Sequence, residues 1–235
     1  MNEAQVLLAT AATVAFTHTV LGPDHYVVFA AMGRARNWSL AKTLRVTLYC
    51  GIGHVLSSVV IGIVGILAGS QLAALVNIEG VRGNLAGWAL IAFGLVYFAW
   101  GLKKAGRGHS HSHVHVHGDV VHEHEHTHRT EHAHVHAKGA RHTITPWAMF
   151  IIFVLGPCEA LIPLLMYPAA RHSSSLVVSV ALVFSVITIL TMLVCVALVL
   201  RGFERVRFAG SGRYMHALAG AMVLACGLLV SFAGI

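Results

Sequence analysis

Six long apolar runs dominate the sequence, at residues 5–32, 43–69, 83–102, 146–169, 174–200 and 213–234. An α-helix needs about 20 apolar residues to cross the ~30 Å hydrocarbon core of a bilayer, and every run reaches that length. Only 11% of the 235 residues are charged, against roughly a quarter in a soluble domain. With a mean hydropathy of +0.74, the chain lacks the polar surface to cover a globule in water. The expectation is an all-α polytopic membrane protein of six transmembrane helices, with no room for a sizeable soluble domain.

A formal charge of +7 and a pI near 9.6 would suggest nucleic acid in a soluble protein. Beside membrane spans, Lys and Arg set orientation instead, so no nucleic-acid partner is expected. With six spans, the loops after the first, third and fifth share one side. That side carries Arg34, Arg36, Lys42 and Arg45, then Lys103, Lys104, Arg107, Arg129, Lys138 and Arg141, then Arg201, Arg205, Arg207 and Arg213. These fourteen face only Arg82 and Arg171 on the other side. The positive-inside rule then puts both termini outside and the segment after the third span in the cytoplasm, in a bacterial-type inner (plasma) membrane. The start, Met1-Asn2-Glu3-Ala4-Gln5, lacks the basic residues of a cleavable signal, so the first run is expected to stay in the membrane. Cys50, Cys158, Cys195 and Cys226 all fall within spans and form no CxxC pair, which argues against a disulfide framework or zinc ribbon.

An ionisable residue inside a span costs a few kcal/mol or more and is usually functional. Of the nine acidic residues, only Asp24 and Glu159 are placed well inside spans. Both follow a Gly-Pro pair in similar settings: Val20-Leu21-Gly22-Pro23-Asp24-His25 in the first span and Val154-Leu155-Gly156-Pro157-Cys158-Glu159 in the fourth. The same alignment pairs Met32 with Met166. Since three is odd, two three-helix halves in one membrane must run oppositely, so residues 1–102 and 146–235 read as inverted repeats with helices broken at Gly-Pro. In such folds the site lies between the repeats near the midplane, on the broken helices. Proline lacks an N–H and clashes with the carbonyl four residues back, which would free the oxygens of Thr19 and Phe153. Two ordinary proline kinks would not require Asp, His, Cys and Glu beside them.

His18 and His25 share a helix face but would stand about 10 Å apart on an unbroken helix. A break at Gly22-Pro23 could bring them together and let Asp24 turn inward. His54 lies in Cys50-Gly51-Ile52-Gly53-His54, where small residues allow close helix approach. It reads either as a ligand or as a hydrogen-bonded packing residue, and Cys50, one turn away, could line the same cavity. The candidate site is therefore His18, Asp24, His25, His54, Cys158 and Glu159. Histidine nitrogen with carboxylate oxygen suits nickel, cobalt or zinc better than magnesium or calcium.

The H-x5-D-H arrangement from His18 to Asp24-His25, with the Gly-Pro-Cys-Glu element of the fourth span, resembles the secondary nickel/cobalt permeases of the UreH type. These are relatives of the larger nickel/cobalt transporters, whose motif is H-x4-D-H. The resemblance implies transport of nickel or cobalt across the cytoplasmic membrane, as uptake for metalloenzyme assembly, with cytoplasmic metallochaperones as candidate partners. The ion is cargo, and no resident cofactor or enzymatic activity is expected. A similarity to RcnA-type nickel/cobalt exporters keeps efflux open. CcdA/DsbD-type thiol carriers are also similar but use one reactive cysteine per half, and Asp24 stands where the partner of Cys158 would be. No Gly-rich phosphate loop is present, so transport would be secondary or potential-driven.

Residues 103–145 form an insert of different character. Between 109 and 136 lie twelve of the eighteen histidines: His109, His111, His113, His115, His117, His122, His124, His126, His128, His132, His134 and His136. Nothing between them has an apolar period that could build a core, so the segment is expected to be disordered when empty. Alternating imidazoles supply overlapping, low-specificity metal sites suited to capture, buffering or sensing, where a plain solvated linker would need none.

Overall fold

The computed structural model describes residues 2–106, 111–117, 120–126, 144–205 and 212–233. Its helices are α1 Glu3–Leu21, α2 Val27–Ala35, α3 Leu40–Leu67, α4 Leu72–Gly106, α5 Ile144–Leu155, α6 Leu161–Ala170, α7 Ser174–Arg205 and α8 Met215–Leu228. A single 3-10 turn, Pro23–His25, stands between α1 and α2, and α8 ends in a π turn, Leu229–Ala233. Five helical stretches are long and apolar enough to cross a membrane, while α5 and α6 are shorter apolar pieces. Leu21, Leu67, Val96 and Phe232 point outward with at least 69% of their surface exposed. Bare apolar faces on this scale suit lipid and not water, so the chain is a multi-pass, essentially all-α membrane protein.

Local chemistry sets the helix ends. The Asn2 side chain accepts from the Gln5 N–H at 2.8 Å while the Gln5 amide oxygen accepts from the Asn2 N–H at 3.0 Å, a capping box that starts α1. Ser39 caps α3 through the Lys42 N–H. Between α6 and α7 the chain reverses at Arg171–His172–Ser173, with His172 in the left-handed region at φ 54°. There the N–H groups of His172 and Ser173 satisfy the carbonyls of Ala169 and Pro168.

The boundary that differs most from the sequence expectation is the start of α4. The third span was placed at 83–102, whereas α4 begins at Leu72, so Glu79 and Arg82 belong to a helix and not to a loop. Two charges within four residues read as loop unless their partners across the fold are known. Arg82, expected in a loop, therefore lies within α4.

Helices α4 and α8 pack at the closest range. A Cβ on Gly94 would lie 2.7 Å from Leu224 Cα, one on Gly101 2.7 Å from Ala217 Cα, and one on Gly220 2.6 Å from Phe98 Cα. Gly87 meets Ser231 in the same row. Rising numbers on α4 meet falling numbers on α8, so the two run antiparallel. The α4 glycines recur every seventh residue, two turns apart, and thus form one face along which backbones touch. In contrast, α3 runs parallel to the α5–α6 pair, with Gly53 against Phe150 and Val154, and Gly62 against Ile162 and Leu165.

Neighbours come in matched sets: α1 with α7 and α3 with α5, α2 with α8 and α4 with α6, α2 with α7 and α3 with α6. One buried cluster contains Phe29, Met32 and Phe153, and another contains Ala15, Cys158 and Leu165. The second helix break, between Phe153 and Cys158, is where they meet. Cations gather where α2 and α4 end and α8 begins: Arg36 lies over the Tyr97 ring, and Lys104 lies over Trp100 and bonds His216 Nε2 at 2.8 Å.

Within the insert, His111–His117 and Val120–His126 pair as antiparallel strands β1 and β2, with His111 opposite His126, His113 opposite His124 and His115 opposite His122. Regular structure was not expected there, but alternation of His with Ser, Val and Glu is also the period-two pattern of a ribbon. His109, His128, His132, His134 and His136 lie outside the described residues.

Candidate metal centre

The first helix break builds the site. Gly22 closes α1, Pro23 has no N–H to continue it, and the turn Pro23–His25 re-aims the chain before α2. This detour sets the His18 and His25 ring centroids 4.9 Å apart, about half the separation that an unbroken helix would impose. His54 arrives from α3 with its ring 5.1 Å from that of His25. One nitrogen of each of the three histidines lies within 4.8 Å of the others. His25 and His54 are buried, and His18 is half-buried.

Their partners fix how two of the rings present themselves. His25 Nδ1 is 3.0 Å from Asp24 Oδ1 and 3.2 Å from the Gly22 carbonyl. His54 Nδ1 is 3.2 Å from the Phe153 carbonyl. A carbonyl can only accept, and so can an ionised carboxylate, so each Nδ1 carries a proton, and in the neutral ring Nε2 keeps its lone pair. Both Nε2 atoms are buried without a hydrogen-bond partner. Unpaired buried nitrogens are costly, and two beside one another, with a third imidazole alongside, have the donor set of a borderline metal ion. Cys158 Sγ lies 3.9 Å from His18 Nε2 and borders the group. A small cavity touching Asp24, His54, Gly156 and Pro157 joins the two breaks.

Glycine leaves room for the rings at both breaks, more narrowly at the first. A Cβ on Gly22 would lie 2.9 Å from Asp24 Oδ1 and 3.0 Å from His25 Cε1, and one on Gly156 would lie 3.1 Å from His54 Nδ1.

Of the six expected residues, then, His18, His25 and His54 come together, and Asp24 and Cys158 adjoin them. Asp24 turns inward to orient His25, outside the convergent group. Glu159 does not join: it is exposed, near Gly80 of α4. The Phe153 carbonyl, expected to be freed, accepts from the Gly156 N–H at 3.1 Å and serves as the acceptor for His54 as well. Cys50 lines a separate apolar recess with Tyr49, Trp147 and Phe150.

Sequence reasoning missed a second polar cluster. Glu79 is fully buried, paired with Arg82, and accepts from the Ser58 hydroxyl and the Cys158 N–H, each at 3.0 Å. The i,i+3 spacing of opposite charges, the pattern of a helical ion pair, was the available signal.

Compared with family models, curated proteins and solved structures, the chain matches none.

Proposed function

We propose that this protein is a secondary carrier that brings a borderline divalent cation, nickel or cobalt, into the cell across the cytoplasmic membrane. The observation that carries the reading is the pair of unpartnered Nε2 atoms of His25 and His54, beside His18, at a helix break within a membrane bundle. A structural histidine pair would have spent those lone pairs on donors. The H-x5-D-H resemblance to UreH-type permeases supplies the choice of metal and the inward direction.

The six spans form two inverted three-helix repeats, α1–α2 to α4 and α5–α6 to α8. The antiparallel α4/α8 contact and the matched neighbour sets support this, since an in-plane two-fold axis would exchange each set with its counterpart. Alternating access then amounts to one repeat rocking against the other around the histidines. An arriving ion exchanges part of its water shell for imidazole nitrogen, and Asp24 offsets its charge through His25. The insert, on the cytoplasmic side with the termini outside, holds ions released there for metallochaperones.

Proteoliposomes loaded with a chelator and given radioactive nickel test the reading. Wild type is expected to accumulate the ion, and a protein carrying both His25→Ala and His54→Ala is expected to lose accumulation. Undiminished flux in the double variant would overturn the proposal. Cobalt and zinc competition ranks the cargo, and preloaded vesicles read the direction.

A further inference from the structure

The second helix break differs from the first in holding a cation of the protein's own. Breaking a helix at Gly156-Pro157 leaves carbonyls without amide partners. Arg82 meets two of them: its Nη2 donates to the Val154 oxygen at 2.7 Å and to the Gly156 oxygen at 3.2 Å. The same nitrogen reaches Ser57 Oγ at 2.6 Å, its two hydrogens shared among the three oxygens, while Nη1 donates to Ser58 Oγ at 3.2 Å and to Glu79. Five oxygens, one of them from a buried carboxylate, thus surround one guanidinium. That is the donor set of a hard cation site, filled by a side chain that cannot leave.

The turn this cage grips is also the one the histidine cluster leans on. Phe153 lends its carbonyl to His54, Val154 and Gly156 lend theirs to Arg82, and the Cys158 N–H donates to Glu79 while its sulfur faces His18. Ser57, gripped by Arg82, donates in turn to the His54 carbonyl at 2.7 Å. Contacts to the two sites therefore share the six residues from Phe153 to Cys158.

We propose that Arg82 is a tethered cation occupying an oxygen cage at the second break, and that it thereby positions the 153–158 turn that sets His54 and Cys158 at the histidine cluster. The ion filling one half's break is mobile cargo, and the ion filling the other is covalently fixed, so only one break can carry metal. The cage assignment is independent of the transport reading, whereas its consequence for flux rests on it.

The full-length Arg82→Ala protein in detergent tests the cage. Its melting temperature is expected to fall, and free guanidinium at about 20 mM is expected to restore at least half the loss by binding the vacated oxygens, while urea, its neutral analogue, restores none. Equal effects of the two solutes would overturn the proposal. If the alanine protein does not accumulate, Arg82→Lys and Arg82→Gln decide the matter by nickel flux at equal protein. Lys keeps a cation and is expected to hold flux within about fivefold of wild type, and Gln to lose about twentyfold or more. Equal flux in the two would overturn the positioning role. Loss of wild-type flux itself would refute the transport reading and leave the guanidinium melting test standing.

Discussion

Under the proposed function, Asp24 matters to the metal without ligating it. Its carboxylate accepts from His25 Nδ1, which holds the ring with Nε2 turned to the cluster. Asp24→Asn can keep an acceptor there but loses the charge. Nickel affinity of the Asn protein, read as the KM for flux, is expected to weaken about tenfold to a hundredfold, and Asp24→Ala to weaken it further. An Asn protein with wild-type KM would mean that Asp24 plays no part in holding the ion. At this scale the sequence was legible where both partners were local: His18, Asp24 and His25 share eight residues and a Gly-Pro break. It was opaque where the partner came from elsewhere, as for the Phe153 carbonyl that aims His54, or the Val154 carbonyl that receives Arg82.

Among the helices, glycine does two different jobs, and substitution should separate them. At Gly22 an added Cβ strikes the Asp24 and His25 side chains, whereas at Gly101 it strikes the Ala217 backbone. Gly22→Ala is expected to abolish most nickel flux with a small change in melting temperature. Gly101→Val is expected to lower stability by about 1–3 kcal/mol or more, because two helix backbones cannot yield as side chains do. Thermal melting alongside flux checks both, and the reverse ordering would contradict the packing described here. Broken helices were readable from Gly-Pro, where glycine's freedom adjoins proline's missing donor. The true start of α4 was not, because Glu79 and Arg82 look like loop residues until Ser57, Ser58 and the second break are seen to satisfy them.

Considered whole, the molecule divides into a helical bundle that holds the histidine cluster and a His-rich insert between α4 and α5, and under the proposed function the first selects and the second stores. A protein lacking residues 109–136 is expected to keep its flux at saturating nickel while binding fewer ions at equilibrium. The ions lost with that deletion should also be the pH-sensitive ones. Imidazole binds metal only when neutral, so their retention by the intact protein is expected to be full above the ordinary histidine value of about 6.5 and to fall as pH drops through it. Equilibrium dialysis of both proteins at neutral and acidic pH measures this, and a deletion that abolishes flux would instead make the insert part of the pathway.

What the amino-acid sequence determined alone was everything that depends on composition and near neighbours. Apolar runs long enough for lipid demanded helices, Gly-Pro pairs demanded breaks, and the spacing of His18 and His25 across one of them marked the site. What only the tertiary structure decided was which groups from distant segments meet: His54 joining the cluster, Glu159 remaining outside it, Glu79 and Arg82 filling the second break. Those outcomes turn on how helices pack, where a buried donor and acceptor must find each other across scores of residues. No local pattern records that choice.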